Sequence, residues 1–370
     1  MSGNKLSLTF KPTNQCNLQC AYCYAENLKR LNASTMTLEE SKQAFDWILR
    51  YCQHLNIDTV YVYWHGGEPL LPGPAFMQQS IEYYTDLFKR NGIKSYNHIQ
   101  TNLLNLNEDF YPLMKQYFDS MIGTSYDFHS ATRLYFNGRD SSQDVYNKIL
   151  KLQADGFNIS VICLLNKENV GEIDAMYSFF NDNRLDFTLN RIIPPLHGPI
   201  HASELALSIT WEEYANALCH LFDIWYNDKQ SRIQITPLKT MFKSYVTGEA
   251  RNCNFIYPDA RFLMSIGPGG ELYPCARFDA SESRIGTIYD STPEEVIANR
   301  QKIVDQGMTS EQLGCSTCDC YGLCTGGCLH SRIIGWQPEE CNAYRAIWKH
   351  MAEVLTKVGI TRGSMRRKQS

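Results

Sequence analysis

The sequence predicts an α/β protein: a partial (βα)6 barrel of about six β-α units, followed by a cysteine-rich extension. Three observations predict it. Apolar strands of period two alternate with helices of period 3.6 through the first half of the chain. Four polar motifs fall just after successive strand ends, where a β/α barrel carries its catalytic face. Composition then shifts toward spaced cysteines from Cys253 onward. The alternation by itself also suits a doubly wound sheet, and the shared rim of polar motifs favours the barrel. With 370 residues and 44% hydrophobic content, an ordinary buried core is available.

Residues 6–10 alternate as the first strand, and Pro12-Thr-Asn14 breaks it into a loop that holds the first cysteines. Thr37 and Glu40 form a capping-box start, and Leu38, Ser41, Phe45, Ile48, Leu49 and Cys52 share one face of the helix that follows. Residues 59–64 make the second strand, followed by His65-Gly-Gly-Glu-Pro69 and a helix over 74–91. The unit then repeats. Strands over 93–100, 119–126, 157–165 and 185–192 alternate with helices over 107–117, 141–155 and 169–182. Gln100-Thr-Asn102 and Ser125-Tyr-Asp127 close two of those strands. Pro194-Pro195 and Gly198-Pro199 mark a break before Thr210-Trp-Glu-Glu213 opens an amphipathic helix. From Cys253 the chain has few long periodic segments, as expected of a region held by inorganic centres rather than a large apolar core. Helical periodicity returns over 338–357, and the basic tail from Arg362 reads as a solvated end. The expected domains are the barrel over 1–210, a linking helical segment over 211–250, the cysteine-rich unit over 251–350 and a helix end with tail over 351–370.

Lys plus Arg total 35 against 39 Asp plus Glu, so no basic field exists for binding nucleic acid. No basic-then-apolar start and no run of about 18 apolar residues is present, so the expectation is a cytoplasmic protein with no membrane partner. Under reducing conditions its 14 cysteines point to metal or cluster ligands rather than disulfides. Cys52, Cys163 and Cys219 lie in apolar periodic segments and read as small core residues, and Cys320 as a passive thiol between ligands.

Cys16-x3-Cys20-x2-Cys23 places three thiolates in one loop. A cubane cluster normally takes four, so one iron is left for an exogenous ligand, a site suited to chemistry. The alternative is a closed structural zinc site. With Tyr22 before its last cysteine, this array resembles the signature of the radical S-adenosylmethionine (radical SAM) superfamily, and the resemblance runs over nearly the whole chain. It implies that Cys16, Cys20 and Cys23 hold a 4Fe-4S cluster that binds S-adenosylmethionine. By the same resemblance Gly66, Gly67 and Glu68 meet the methionine amino group, Tyr22 lends its backbone to adenine, and Ser125 and Arg133 contact the ribose and carboxylate. Asn102 belongs to the Gln100-Thr-Asn102 loop, which continues into Leu103 where relatives often have glycine.

The second half resembles the superfamily's SPASM extension, with Gly270-x4-Cys275, then Cys315-x2-Cys318-x5-Cys324-x3-Cys328, and Cys341. That implies two auxiliary 4Fe-4S clusters and three clusters in all. Cys253, Cys275 and Cys328 serve the first auxiliary cluster, and Cys315, Cys318, Cys324 and Cys341 the second. The first lacks a fourth ligand, because Asp259 stands where relatives often have cysteine. Asp259 ligates through oxygen, Cys320 substitutes, or the site is open; the open site is favoured.

The chemistry implied is reductive cleavage of the cofactor to a 5′-deoxyadenosyl radical. That radical abstracts hydrogen from an unactivated carbon while the protein orients substrate and excludes water. An electron donor such as flavodoxin or ferredoxin is implied as well. SPASM proteins mostly act on peptides, so oxidative maturation of a ribosomal peptide, with crosslink formation, is the expected activity. The first strand begins by residue 6, so leader recognition is expected of a separate leader-binding protein or of a groove between barrel and extension. Sulfatase maturation is an alternative. Such enzymes usually carry Asp after the Cys of Tyr-Pro-Cys as the base, whereas Tyr273-Pro-Cys275 is followed by Ala276. Small-molecule dehydrogenation or rearrangement, as of an aminosugar or amino acid, is a further alternative, and an electron-transfer or zinc scaffold is the non-enzymatic one. No catalytic base is assigned, with Asp259, Asp279 and several tyrosines as candidates.

Overall fold

The computed structural model describes residues 4–23, 33–193, 202–256, 262–278, 280–335 and 337–365. Its strands in chain order are β1 (Asn4–Phe10), β2 (Gln19–Cys20), β3 (Ile57–Trp64), β4 (Lys94–Ile99), β5 (Met121–Ser125) and β6 (Arg133–Leu134). They continue with β7 (Asn158–Leu165), β8 (Asp186–Arg191), β9 (Ile235–Thr236), β10 (Leu263–Ile266), β11 (Glu271–Tyr273) and β12 (Gly286–Thr287). One sheet runs β12-β11-β10-β1-β3-β4, a second β5-β7-β8-β9, and β2 pairs with β6 alone. Between the two larger sheets, Gln100 bridges Gly123 in parallel and the Thr101 amide donates to the Gly123 carbonyl at 3.0 Å. The parallel strands from β10 through β9 therefore form one curved, open barrel, as expected.

The alternation of each strand sorts its residues between two faces. Leu6, Leu8 and Phe10 of β1, with Val60, Val62 and Trp64 of β3, are fully buried under the helices Leu38–His54 and Pro74–Arg90. Aromatic rings fill that layer: Phe10 meets Phe45 at 4.9 Å and Trp64 at 5.1 Å, and Phe45 meets Tyr84 at 4.1 Å. Burying each such side chain is worth about 1.5–3 kcal/mol. Thr37 and Glu40 form the expected capping box.

The opposite face of β3 and β4 is open. Tyr61 stacks on Tyr96 at 5.3 Å, and Tyr63 on His98 at 4.7 Å, with Tyr63 39% and Tyr96 47% exposed. Helices occupy the outer face, so this aromatic row lines the inside of the barrel.

Several expected boundaries move for local reasons. The helix expected over 169–182 begins at Ile173, because Asn166 and Asn169 are buried and accept main-chain N–H groups of the preceding turn. The cysteine-rich region is more regular than expected: Pro293–Val304 is a helix, with a Thr292/Glu295 capping box and proline at its start. The tail is not a simple solvated end, since Arg362 donates to the carbonyls of Asp319, at 2.7 Å, and Tyr321, and the Met365 amide donates to the Val246 carbonyl at 2.8 Å. Residues 366–370 lie outside the described residues. β9 falls within the segment read as linking, and β10 within the cysteine-rich unit, yet both extend the barrel's strand order. No helix among the described residues is long and apolar enough to cross a membrane.

Candidate functional site

The amino-terminal cysteine loop follows β1 and is gripped from two sides. On one side the chain after β3 lies against it: the Gly67 amide donates to the Thr13 carbonyl at 2.9 Å and the Glu68 amide to the Gln15 carbonyl at 2.7 Å. This approach requires glycine. A Cβ on Gly66, whose φ is +124°, would lie 2.4 Å from the Thr13 oxygen, and one on Gly67 2.0 Å from the Gln15 oxygen. On the other side β2 pairs with β6, which sets Cys20 opposite Arg133, and the Ala21 amide donates to the Thr132 carbonyl at 2.8 Å.

Glu68 is a buried clasp between two rim motifs. Its carboxylate accepts from the Thr101 hydroxyl at 2.7 Å, the Leu70 amide at 3.1 Å and the Asn102 amide at 2.8 Å. Burial raises its pKa, and those donors pull it back only in part. Asn102 in turn donates to Asn17 Oδ1 at 2.6 Å and reaches Cys16 Sγ at 4.0 Å. Leu103 adopts φ +69°, a left-handed backbone conformation that glycine would take without strain.

Asp127 organises the other flank. It accepts from the hydroxyls of Tyr22 at 2.6 Å and Thr132 at 2.7 Å, and from the Leu164 amide at 2.9 Å. Burial holds the Tyr22 hydroxyl well above its ordinary pKa, so it stays protonated and donates. Arg133 Nη1 donates to the same hydroxyl at 3.0 Å. Its Nε is buried with no hydrogen-bond partner among the described residues, a donor opposite the cysteine loop that suits an anionic ligand group. Ser125 accepts from Gln100 Nε2 at 3.0 Å. Cys16 and Cys23 are partly exposed and Cys20 is buried. The seven residues expected to contact the cofactor, Tyr22, Gly66, Gly67, Glu68, Asn102, Ser125 and Arg133, therefore lie on this rim.

In the extension, Cys253, Cys275 and Cys328 fall within electrostatic reach of one another. Burial pushes the Cys275 thiol up to about 12, with Cys328 adding to it, so Cys275 as a bare thiol would be neutral. Metal coordination would ionise them. Arg277 stands among the three, donating to Cys328 Sγ at 3.3 Å and Asn254 Oδ1 at 3.4 Å. Burial works against its charge, but Cys328, Cys253 and Cys275, once ionised, would more than offset this. Cys324 lies near Cys341 and Cys315. Cys318 neighbours Cys320, whose buried thiol is pushed up to about 12. Asp259 and Asp279 lie outside the described residues. No three His, Cys, Asp or Glu side chains among the described residues close on a single metal ion. Cys52 and Cys163 are fully buried in the core, as expected, and Cys219 packs against it.

Sequence reasoning missed Arg277 and Glu340. Glu340 is 2% exposed, with Oε2 lacking a hydrogen-bond partner among the described residues. Burial raises its pKa, while Ser331, Arg277 and Arg191 oppose the rise, and Arg191 ends β8 on the barrel rim. Neither residue sits in a spaced motif, so only the preference of a buried carboxylate for a cationic partner could have hinted at them.

The radical SAM superfamily matches residues 10–180 of the chain. The cysteine-type anaerobic sulfatase-maturating enzyme of Clostridium novyi is 26% identical over 381 residues, 96% of this chain and 98% of that one. The serine-type anaerobic sulfatase-maturating enzyme of Bacteroides thetaiotaomicron is 24% identical over 92% of this chain and 87% of its own. Among solved structures, native anSMEcpe with bound AdoMet and Cp18Cys peptide shares the fold with a TM-score of 0.79 at 21% identity, over 96% of this chain and 99% of that one. Streptococcus suis SuiB bound to precursor peptide SuiA follows with a TM-score of 0.60 at 15% identity, over 91% and 74%.

Proposed function

We propose that this chain, a radical SAM enzyme of the SPASM type with its core over residues 10–180, oxidatively modifies a residue within a peptide or protein substrate. The observation that carries the reading is the cysteine loop clasped between Gly66-Gly67-Glu68 and the β2–β6 pair, at the mouth of a barrel whose inner wall exposes Tyr61, Tyr63, Tyr96 and His98.

In this reading Cys16, Cys20 and Cys23 hold a 4Fe-4S cluster, and S-adenosylmethionine bound there supplies a radical able to abstract hydrogen from carbon. The residues present fit that role. Arg133 offers its unpartnered Nε to the cofactor carboxylate. Tyr22, Gly66, Gly67, Glu68, Asn102 and Ser125 shape the pocket around it, Glu68 and Asn102 chiefly by fixing one loop against another. The second and third clusters fall to Cys253, Cys275 and Cys328, and to Cys315, Cys318, Cys324 and Cys341. A small electron-donor protein completes the reaction. The aromatic inner wall would give an extended peptide rings to stack on, and Tyr63 within electrostatic reach of Cys253 supports a substrate lying toward the first auxiliary site.

A second reading, sulfatase maturation, is favoured by the two full-length relatives. Against it, Ala276 stands where the carboxylate base of such an enzyme is expected, and Arg277 follows. The test is 5′-deoxyadenosine formation and peptide mass after anaerobic reconstitution. One arm uses a peptide encoded beside the gene, another a peptide bearing a sulfatase Cys or Ser site. Two-hydrogen loss in the first peptide alone supports the proposal; turnover of the sulfatase peptide alone selects the second reading; cofactor cleavage indifferent to both moves the substrate to a small molecule.

A further inference from the structure

We infer that Arg277 raises the reduction potential of the first auxiliary site. The inference rests on the reading that Cys253, Cys275 and Cys328 hold an iron-sulfur cluster.

The two cysteine sets differ in how arginine meets them. At the first, Arg277 aims one arm at a sulfur: Nη1 lies 3.3 Å from Cys328 Sγ, while Nη2 is anchored 3.4 Å from Asn254 Oδ1, next to Cys253. The fork thus spans two of the three candidate ligands, and its charge is felt by all three thiols. At the second, Arg332 is committed mainly to the main chain. It donates at 2.7 Å to the Gly326 carbonyl and at 2.6 Å to the Met308 carbonyl, and comes no nearer than 3.9 Å to Cys315 Sγ. In the same set the neutral Gly326 amide lies 3.4 Å from Cys324 Sγ.

Reduction adds negative charge to a cluster. Hydrogen bonds to its sulfurs and a nearby cation stabilise the reduced form, and lower net negative charge raises the potential. Three thiolates on a doubly positive cubane leave one negative charge, which one guanidinium balances. Four thiolates leave two, and the guanidinium beside Cys315 stands 3.9 Å from its sulfur rather than 3.3 Å. Both differences act in the same direction. Ligand number is fixed by the cysteines, so Arg277 is the part of the difference that a single substitution can remove.

The experiment is a redox titration of the reconstituted full chain, followed by electron paramagnetic resonance, on wild type, Arg277→Gln and Arg277→Lys. Iron content is measured on each. With iron retained, Arg277→Gln is expected to move one cluster signal to lower potential and leave the other two in place, and Arg277→Lys to shift the same signal less. An iron-replete Arg277→Gln protein with an unshifted signal overturns the inference. Should Arg277→Gln fail to load iron, Arg277→Lys decides: the same signal displaced downward supports the inference, and an unshifted signal overturns it. Cys275→Ala tests the underlying reading separately, since unchanged iron content there removes the cluster assignment.

Discussion

The two cysteine regions are built by opposite means. The amino-terminal loop is fixed by main chain on main chain, with Gly67 and Glu68 donating to Thr13 and Gln15 at distances that exclude a Cβ, and β2 laid along β6. Beside its thiols, Asn102 reaches Cys16 Sγ at 4.0 Å and Arg133 stands opposite Cys20. In the extension the reverse holds. Short turns such as Cys315–Thr317 carry the thiols, and arginine side chains tie the turns together. In the proposed reading the loop secured by its backbone receives an exchangeable ligand, and the turns secured by side chains enclose a permanent one.

This contrast can be broken most completely at the thiols. Cys16→Ala, Cys20→Ala and Cys23→Ala are each expected to abolish 5′-deoxyadenosine formation while iron bound by the extension remains. Retained cleavage in all three would mean that the loop is not the seat of the cofactor. Cys341→Ala should do the converse, losing iron from the second auxiliary set and with it substrate turnover, while some cofactor cleavage persists. An unchanged iron content would contradict that ligand set.

A backbone test comes next. Gly67→Ala puts a methyl group 2.0 Å from the Gln15 oxygen, so the loop must shift by an ångström or more. Misplacement on that scale costs on the order of 100-fold in rate. Cofactor cleavage should fall by about that factor with iron in the extension intact. A fall of less than about threefold would show that main-chain contact is not what fixes the loop.

The smallest effect sharpens the same point at Leu103. Its left-handed backbone costs about 1–2 kcal/mol, while its fully buried side chain returns about 1.5–3 kcal/mol. Burial wins, so leucine is tolerated. Leu103→Ala loses the side chain and keeps the strain, and should cost about 2–5 kcal/mol. Leu103→Gly relieves the strain and should be at least as stable as the alanine variant by thermal unfolding, the reverse of the order in an ordinary buried site.

Much of this was legible in the sequence because it is local. Strand alternation located β1, β3, β4, β5, β7 and β8 to within a few residues, and the Thr37/Glu40 and Thr210/Glu213 capping boxes located two helices. Thr292-Pro-Glu-Glu295 carries the same signal, which the surrounding cysteines obscured. β9 and β12 are two residues long, too short for any period to register. Motif spacing sorted the cysteines into candidate sets. It could not disclose that Glu68 accepts from Thr101 and Asn102, or that Arg277 reaches Cys328, because those contacts join segments far apart in the chain.

The parallel pairing of β1 with β10 also bears on how the protein is made. Ser7 through Phe10 align with Leu263 through Ile266, so one edge of the first strand waits for a partner synthesised more than half the chain later. At about 5–20 residues per second, that delay is on the order of tens of seconds. An apolar edge left unpaired for so long is a template for association between nascent chains. The pairing thus makes completion of the barrel depend on arrival of the cysteine-rich region, and it ties assembly of both cysteine regions to one late event in folding.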